Sequence, residues 1–268
     1  MRTCGGVAYG LAVPSTRRYL AFVYGLAAYV LALAAVAYAV GFLADVLVPK
    51  TVDAGSGLPF GDPALVNAAL LGLFGLQHSF MARPWFKARW TRLVPEPVER
   101  STYVLAASLS LLVLMWGWRP LPDVVWAVEG VLAPLLWAAY LGGWVLMFAA
   151  TEMIDGDDLM GLRQVRAYRD GRELEPIGFQ TPSLYRYLRN PIVAGFLVAF
   201  WVTPRMTVGH LLFAGGMTIY ALVGIKLEER DLLVAFGERY RTYRRDVPMF
   251  VPRPWRTIHP TTNDVEID

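Results

Sequence analysis

The sequence predicts an all-α integral membrane protein of five to six transmembrane helices, the last two forming a short helical pair. Three observations carry this expectation. Of 268 residues, 56% are hydrophobic and the mean hydropathy is +0.41, too apolar for a soluble domain of this size. Uncharged runs recur at membrane length. The basic residues cluster in alternate connections between those runs.

The first four runs are 20–44, 64–82, 101–118 and 130–151. Each is long enough, or nearly so, to cross ~30 Å of hydrocarbon at ~1.5 Å per residue. Backbone in lipid must satisfy its own hydrogen bonds, so helices are expected. Two more runs follow, 191–204 and 206–225. The first would be about 21 Å long as a helix. It reads as a short or re-entrant helix paired with its successor through a turn at Thr203-Pro204-Arg205-Met206.

All but three of the 25 Lys and Arg residues precede the first run, follow the last, or lie between runs two and three or four and five. The exceptions are Lys50, Arg119 and Arg205. The positive-inside rule then places both termini in the cytoplasm, which requires an even number of crossings, or five with one hairpin misread. The net charge of +3 is therefore a topology signal with some attraction to anionic lipid, and predicts no nucleic-acid partner. The single Cys4 excludes an intramolecular disulfide and a multi-cysteine metal site. No cleavable signal peptide is evident, and no repeat. One membrane domain is expected, with residues 1–18 as a cytoplasmic N-terminus and 257–268 as a flexible polar tail.

On the basic side, the connection 83–100 interleaves Trp85, Phe86 and Trp90 with Lys87, Arg89 and Arg92, a pattern suited to the headgroup layer. Pro95 and Pro97 bracket Glu96 and stop the preceding helical pattern. In 152–189, Asp155, Asp157 and Asp158 precede Arg163, Arg166 and Arg169 on a short helical stretch broken by Gly171, Pro176 and Gly178. Residues 183–189 form an amphipathic lead-in to the next span.

Two constellations are polar where lipid would penalise polarity. The first is C-terminal: Leu188-Arg189-Asn190-Pro191, then Lys226-Leu227-Glu228-Glu229-Arg230, then Phe236-Gly237, Tyr240, Tyr243, Pro248 and Pro252. Adjacent carboxylates at the end of a span are costly unless they bind something. They point about 100° apart on a helix, so their roles must differ. One could bind a ligand while the other pairs with Arg189, Arg230 or Arg244. Proline at the first helical position leaves a turn of N–H groups open to an anion, the alternative being a plain helix start. The second constellation is Gln77-His78, near the end of an apolar span. It supplies either a proton acceptor or a helix-to-helix hydrogen bond.

Over about residues 185–252 the C-terminal layout resembles the isoprenylcysteine carboxyl methyltransferase and phospholipid methyltransferase superfamily of membrane enzymes. That superfamily usually has His where this chain has Asn190, which argues against Asn190 as a base. Further upstream, Gln77-His78-Ser79 with Met81-Ala82-Arg83-Pro84, the stretch Val94 to Tyr103, and Trp116-Gly117-Trp118-Arg119-Pro120 resemble its NnrU-like branch. That branch includes bacterial methanethiol S-methyltransferases. The resemblance, over most of 65–252, implies methyl transfer from S-adenosyl-L-methionine to methanethiol, giving dimethyl sulfide and S-adenosylhomocysteine. It implies a bacterial inner membrane location and a cytoplasmic cofactor site in 185–252, capped by the C-terminal segment.

Given that reaction, the few polar and aromatic groups at the span ends can be assigned roles. Leu188, Asn190, Pro191, His210, Tyr220, Glu228, Glu229, Tyr240 and Arg244 are expected at the cofactor. His78 would take the thiol proton, with Arg189 or Arg83 stabilising the thiolate. Gln77, Tyr103, Trp116 and Trp118 would line a small apolar pocket for a volatile thiol arriving from the bilayer. No metal is expected, and the oligomeric state is left open. Methylation of a lipid amine or a prenylated cysteine carboxylate is an alternative activity. A non-enzymatic accessory role in denitrification or haem handling is another; haem would need ligands from His78, His210 and His259.

Overall fold

The computed structural model describes residues 14–57, 60–175 and 177–251. Cys4, Pro176, Pro252 and His259 lie outside them, as do the expected tail and most of the N-terminal segment. Five helices are long and apolar enough to cross a membrane: α1 (Ser15–Ala44), α2 (Pro63–Met81), α4 (Glu96–Gly117), α5 (Leu132–Met153) and α9 (Val208–Asp246). Between them lie the short helices α3 (Pro84–Trp90), α6 (Gly156–Leu159), α7 (Leu162–Asp170) and α8 (Pro191–Trp201). The helical membrane architecture is as expected. One addition is a small antiparallel ladder, β1 (Val124–Ala127) with β2 (Arg205–Thr207). It takes up part of the expected 203–206 turn.

α1, α4 and α9 outrun their uncharged runs because their ends carry charge that hydropathy does not count. α2 starts on an Asp62 cap whose carboxylate accepts from the Ala64 and Leu65 N–H groups, with Pro63 at the first position. α4 starts at Glu96, before the uncharged stretch begins, with Pro97 in its first turn. The last pair is unequal. α8 is short, at 11 residues or about 16 Å. α9 runs for 39 residues and carries Lys226 to Arg245 as well as the apolar stretch.

Connections gather at two ends. At one end, Asn67, fully buried, donates its amide to the Arg119 carbonyl at 2.7 Å and accepts the Arg119 N–H at 2.8 Å. Nearby, Phe42, Trp118 and Phe213 pack edge to face in the core. β1 and β2 close that end, and Thr207 donates to Asp53 at 2.6 Å. Burial raises the Asp53 carboxyl pKa, and the Thr207 hydroxyl opposes the rise. At the other end lie α3, α6, α7, the 3-10 turn Ser183–Arg186 and the last turns of α9. The Arg169 guanidinium packs on Phe22 of α1. Tyr243 of α9 donates to the Tyr185 carbonyl. α8 connects this end to β2, so the described chain traverses the bundle six times. The short α8 explains why length alone counts five.

α5 and α8 touch backbone to backbone. A Cβ on Gly195 would fall 2.6 Å from the Gly143 carbonyl oxygen and from the Met147 nitrogen. A Cβ on Gly215 of α9 would meet nothing within 4 Å. Gly195→Ala should therefore lower the thermal unfolding midpoint of the detergent-solubilised protein by several degrees, while Gly215→Ala leaves it in place. Equal midpoints for the two would show that the α5–α8 contact is not needed for stability.

Candidate active site

α9 cannot be straight. Glu229 and Arg244 are 15 positions apart, about 22 Å along one helix. Yet Arg244 Nε lies 3.5 Å from Glu229 Oε2. The reversal occurs at Gly237, which has φ 54° and ψ −124° inside the element. That combination is the first central position of a type II′ turn, where glycine is preferred because other residues meet their own Cβ. The Phe236-Gly237 pair thus folds 238–251 back over the head of α8.

The fold-back is held by charge and backbone together. Glu229 is buried and sits between two cations, with Arg189 Nη2 at 3.1 Å and Arg244 Nε at 3.5 Å. Arg189 also donates to the Arg244 carbonyl. The Arg189 N–H reaches the Pro248 carbonyl at 2.9 Å, and the Asn190 N–H reaches Met249 at 3.3 Å. Tyr240 is buried beside this network, with Phe179 and Tyr243 rings against it. Of the two adjacent carboxylates, Glu229 is therefore the ion-pair member.

Glu228 faces a different way. No ion pair holds it among the described residues, and its side chain keeps open surface although protein surrounds it. It lies close enough to Arg83, Arg100, Tyr103, Tyr185, Tyr220 and Tyr240 for charge to be felt between them. Asn190 heads α8 without capping it, and its buried Nδ2 finds no partner. Arg189 Nε is a second buried donor without a partner. The N–H groups of Ile192 and Val193 in the first turn of α8 have no intrahelical acceptor either. Leu188 and Pro191 are buried and set this head in place. An open carboxylate beside buried, unfilled donors fits a zwitterionic ligand with an amino group or ribose at one end and a carboxylate at the other.

The upstream constellation reaches the same region. His78 Nε2 and the Tyr103 hydroxyl are 2.7 Å apart, and His78 Nδ1 is buried with no partner. The rings of Phe74, Tyr103 and Tyr220 surround the imidazole at centroid distances of 5.2–6.0 Å. Gln77 accepts from Ser110 of α4 at 2.8 Å and donates to the Met81 sulfur at 3.1 Å. Arg83 pairs with Asp231 of α9 at 2.9 Å, which ties the end of α2 to α9 three residues beyond Glu228. Arg100 packs on the Tyr103 ring.

Three expected residues stand elsewhere. His210 lies at the start of α9, at the opposite end of the bundle from Glu229. It is buried, and its Nε2 is satisfied by the Phe200 carbonyl at 2.9 Å. Trp118 is buried in the aromatic core at that same far end. Trp116 is 64% exposed on the outer face of α4. Phe74, Arg100, Ser110 and Asp231 join the region without having been singled out. Phe74 lies one helical turn before His78, so helix spacing could have found it; nothing local marks Ser110 or Asp231. Two cavities, of about 400 and 270 Å3, adjoin α6 and α7, and neither includes His78, Glu228 or Glu229. The smaller is lined in part by Lys87, whose pKa burial lowers, aided by the charge of Arg100.

A family model described as NnrU protein matches residues 66–257. The chain belongs to the NnrU family. It is 52% identical to a Methanethiol S-methyltransferase of Mycobacterium tuberculosis, over 90% of this chain and 99% of that relative. It is 50% identical to Methanethiol S-methyltransferase 1 of Bradyrhizobium diazoefficiens, over 89% of this chain and 84% of that one. Human Nurim is 33% identical over 63% of this chain and 68% of its own. No solved structure matches the chain. The matched range of this NnrU chain takes in both polar constellations and the fold-back within the C-terminal one.

Gly237→Ala puts a Cβ into a conformation costing about 1–3 kcal/mol. The expected result is release of the C-terminal segment, seen as faster trypsin cleavage after Arg239 and Arg241. An unchanged cleavage rate would mean that the reversal does not depend on glycine.

Proposed function

We propose that this chain transfers a methyl group from S-adenosyl-L-methionine to methanethiol, giving dimethyl sulfide and S-adenosylhomocysteine. The observation that carries the reading is the convergence of Glu228, the head of α8 and the His78–Tyr103 pair at one end of the bundle. Relatives named Methanethiol S-methyltransferase, at about half identity over most of the chain, support the same substrate.

S-adenosyl-L-methionine, when bound, supplies a methyl group made electrophilic by its sulfonium. Glu228 would hold its amino group or ribose, and the carboxylate charge would offset the sulfonium. Asn190 Nδ2 and the first turn of α8, with its partial positive charge, would receive the methionine carboxylate, an interaction worth about 0.3–1 kcal/mol. Leu188 and Pro191 set that turn. Glu229, Arg189 and Arg244 act one step back by holding the fold-back closed, with Tyr240 packed beneath it. Engaged with Glu229, Arg189 is a brace. Arg83, tied to Asp231 and near Glu228, is better placed to steady a thiolate.

A thiol is a weak nucleophile until it loses its proton; even cysteine has a pKa of about 8.5. His78 is the acceptor in this reading. The S–H proton of the thiol would pass to the imidazole, leaving the sulfur electron pair to attack in line while Tyr103 fixes the ring. Gln77, held by Ser110, lines the same wall. Aromatic rings exclude water there and keep the acceptor oriented. The proposed setting is a bacterial inner membrane with both termini cytoplasmic, which puts Glu228 within reach of a soluble cofactor.

Membranes containing the protein, supplied with S-adenosyl-L-methionine and methanethiol, should release dimethyl sulfide into the headspace only when both are present. Glu228→Ala should lose both product and calorimetric binding of S-adenosyl-L-methionine. His78→Ala should keep that binding and lose turnover by about 100-fold or more. Full turnover by His78→Ala removes its role as base, and absence of product from wild type removes the activity.

A further inference from the structure

Two helix seams of this bundle are built on glycine, and they close differently. At α5–α8, the space beside Gly143 and Gly195 is filled by backbone: the Ala199 nitrogen and the Gly143 oxygen, each 2.6 Å from where a Cβ would stand. Apart from a Val198 methyl, 3.1 Å from the Cβ position of Gly143, nothing there can swing aside. At α2–α9 the fillers are side chains. Tyr220 Cδ2 lies 3.0 Å from the Cβ position of Gly75, and Leu71 Cδ1 lies 2.7 Å from that of Gly216. Side-chain rotamers move far faster and at lower cost than packed backbone.

The α2–α9 seam also separates two different environments. On its outer side, Leu73 and Leu76 of α2 and Ile219 and Val223 of α9 are exposed apolar residues in spans, and so face lipid. On its inner side the Tyr220 ring lies against Phe74 at 5.7 Å and against His78 at 6.0 Å. One partly buried aromatic ring therefore stands between the bilayer and the imidazole. The Ser79 side chain lies near its hydroxyl.

We propose that Tyr220, with Leu71, is the gate through which an apolar thiol enters from the bilayer, and that the space beside Gly75 uncovered when the ring swings sets the largest acceptor admitted. This rests on the methyl-transfer reading above. It assigns Tyr220 to the acceptor side of the site. Small alkanethiols pass once the ring swings; long ones require it to be displaced further. A hydrophobic pocket discriminates by roughly 10- to 200-fold per methylene, so a longer chain is strongly disfavoured.

The test uses the full-length protein in lipid nanodiscs with S-adenosyl-L-methionine and either methanethiol or 1-butanethiol, with methyl sulfide products measured in the headspace. Tyr220→Ala should raise the butanethiol-to-methanethiol rate ratio roughly tenfold or more. Leu71→Ala, which touches neither His78 nor Glu228, should raise it in the same direction. Val198→Ala, at the α5–α8 seam, should keep the wild-type ratio. Calorimetric binding of S-adenosyl-L-methionine, independent of turnover, reports that each variant is folded. If Leu71→Ala and Tyr220→Ala bind it and methylate methanethiol at the wild-type ratio, the gate is overturned. If wild type methylates neither thiol, the underlying activity is overturned and the gate with it.

Discussion

A buried carboxylate between two guanidinium groups is the interaction on which this site depends. Removing Glu229 from water is costly, and the pairing with Arg189 and Arg244 offsets that cost only while all three hold their positions. Arg189 belongs to the head of α8, Glu229 to the body of α9, and Arg244 to the segment beyond Gly237. The triad therefore joins three pieces of chain that would otherwise have no reason to meet. Glu229 is the carboxylate common to both pairs, so the head of α8 and the segment beyond Gly237 are held through one residue.

That closure frees the neighbouring carboxylate. Glu228 and Glu229 differ by about 100° around α9, and the difference divides their work. One is consumed by structure and the other opens toward Arg83, Arg100 and the tyrosines. The same region receives His78 and Tyr103 from α2 and α4, whose apolar faces position them without any polar contact to α8. A site assembled in this way has one half made of charge, at the end of the bundle, and another within the spans made of rings. Such a division suits a reaction between a charged, water-borne methyl donor and a small apolar thiol.

Much of the architecture was legible because lipid enforces it. Runs such as 20–44 and 130–151 have no charge, and a helix is the only economical way to carry them through hydrocarbon. Their ends were less legible. α9 continues past its apolar stretch as far as Gly237 because Lys, Glu and Arg are good helix formers, and hydropathy does not register helix propensity. The short α8 was foreseen, but not that its partner would carry the chain on to a reversal at Gly237. His210 and the Trp116–Trp118 pair looked like site residues because they are polar or aromatic at the ends of spans. Which end of the bundle each occupies follows from the path of the chain, and that path carries them away from Glu228.

By itself the sequence determined the helical membrane class, the side of the membrane that bears the basic residues, and the two polar motifs that lipid would otherwise penalise. These follow from local chemistry: transfer of charge and apolar surface between water and hydrocarbon. Only the tertiary structure decided which glutamate is paired, that Gly237 reverses the chain, that His78 meets Tyr103, and that His210 serves the opposite end. Those outcomes depend on which helices are neighbours, and neighbour relations are set by packing of small residues such as Gly143 and Gly195, whose backbones approach closely only when the whole bundle is in place.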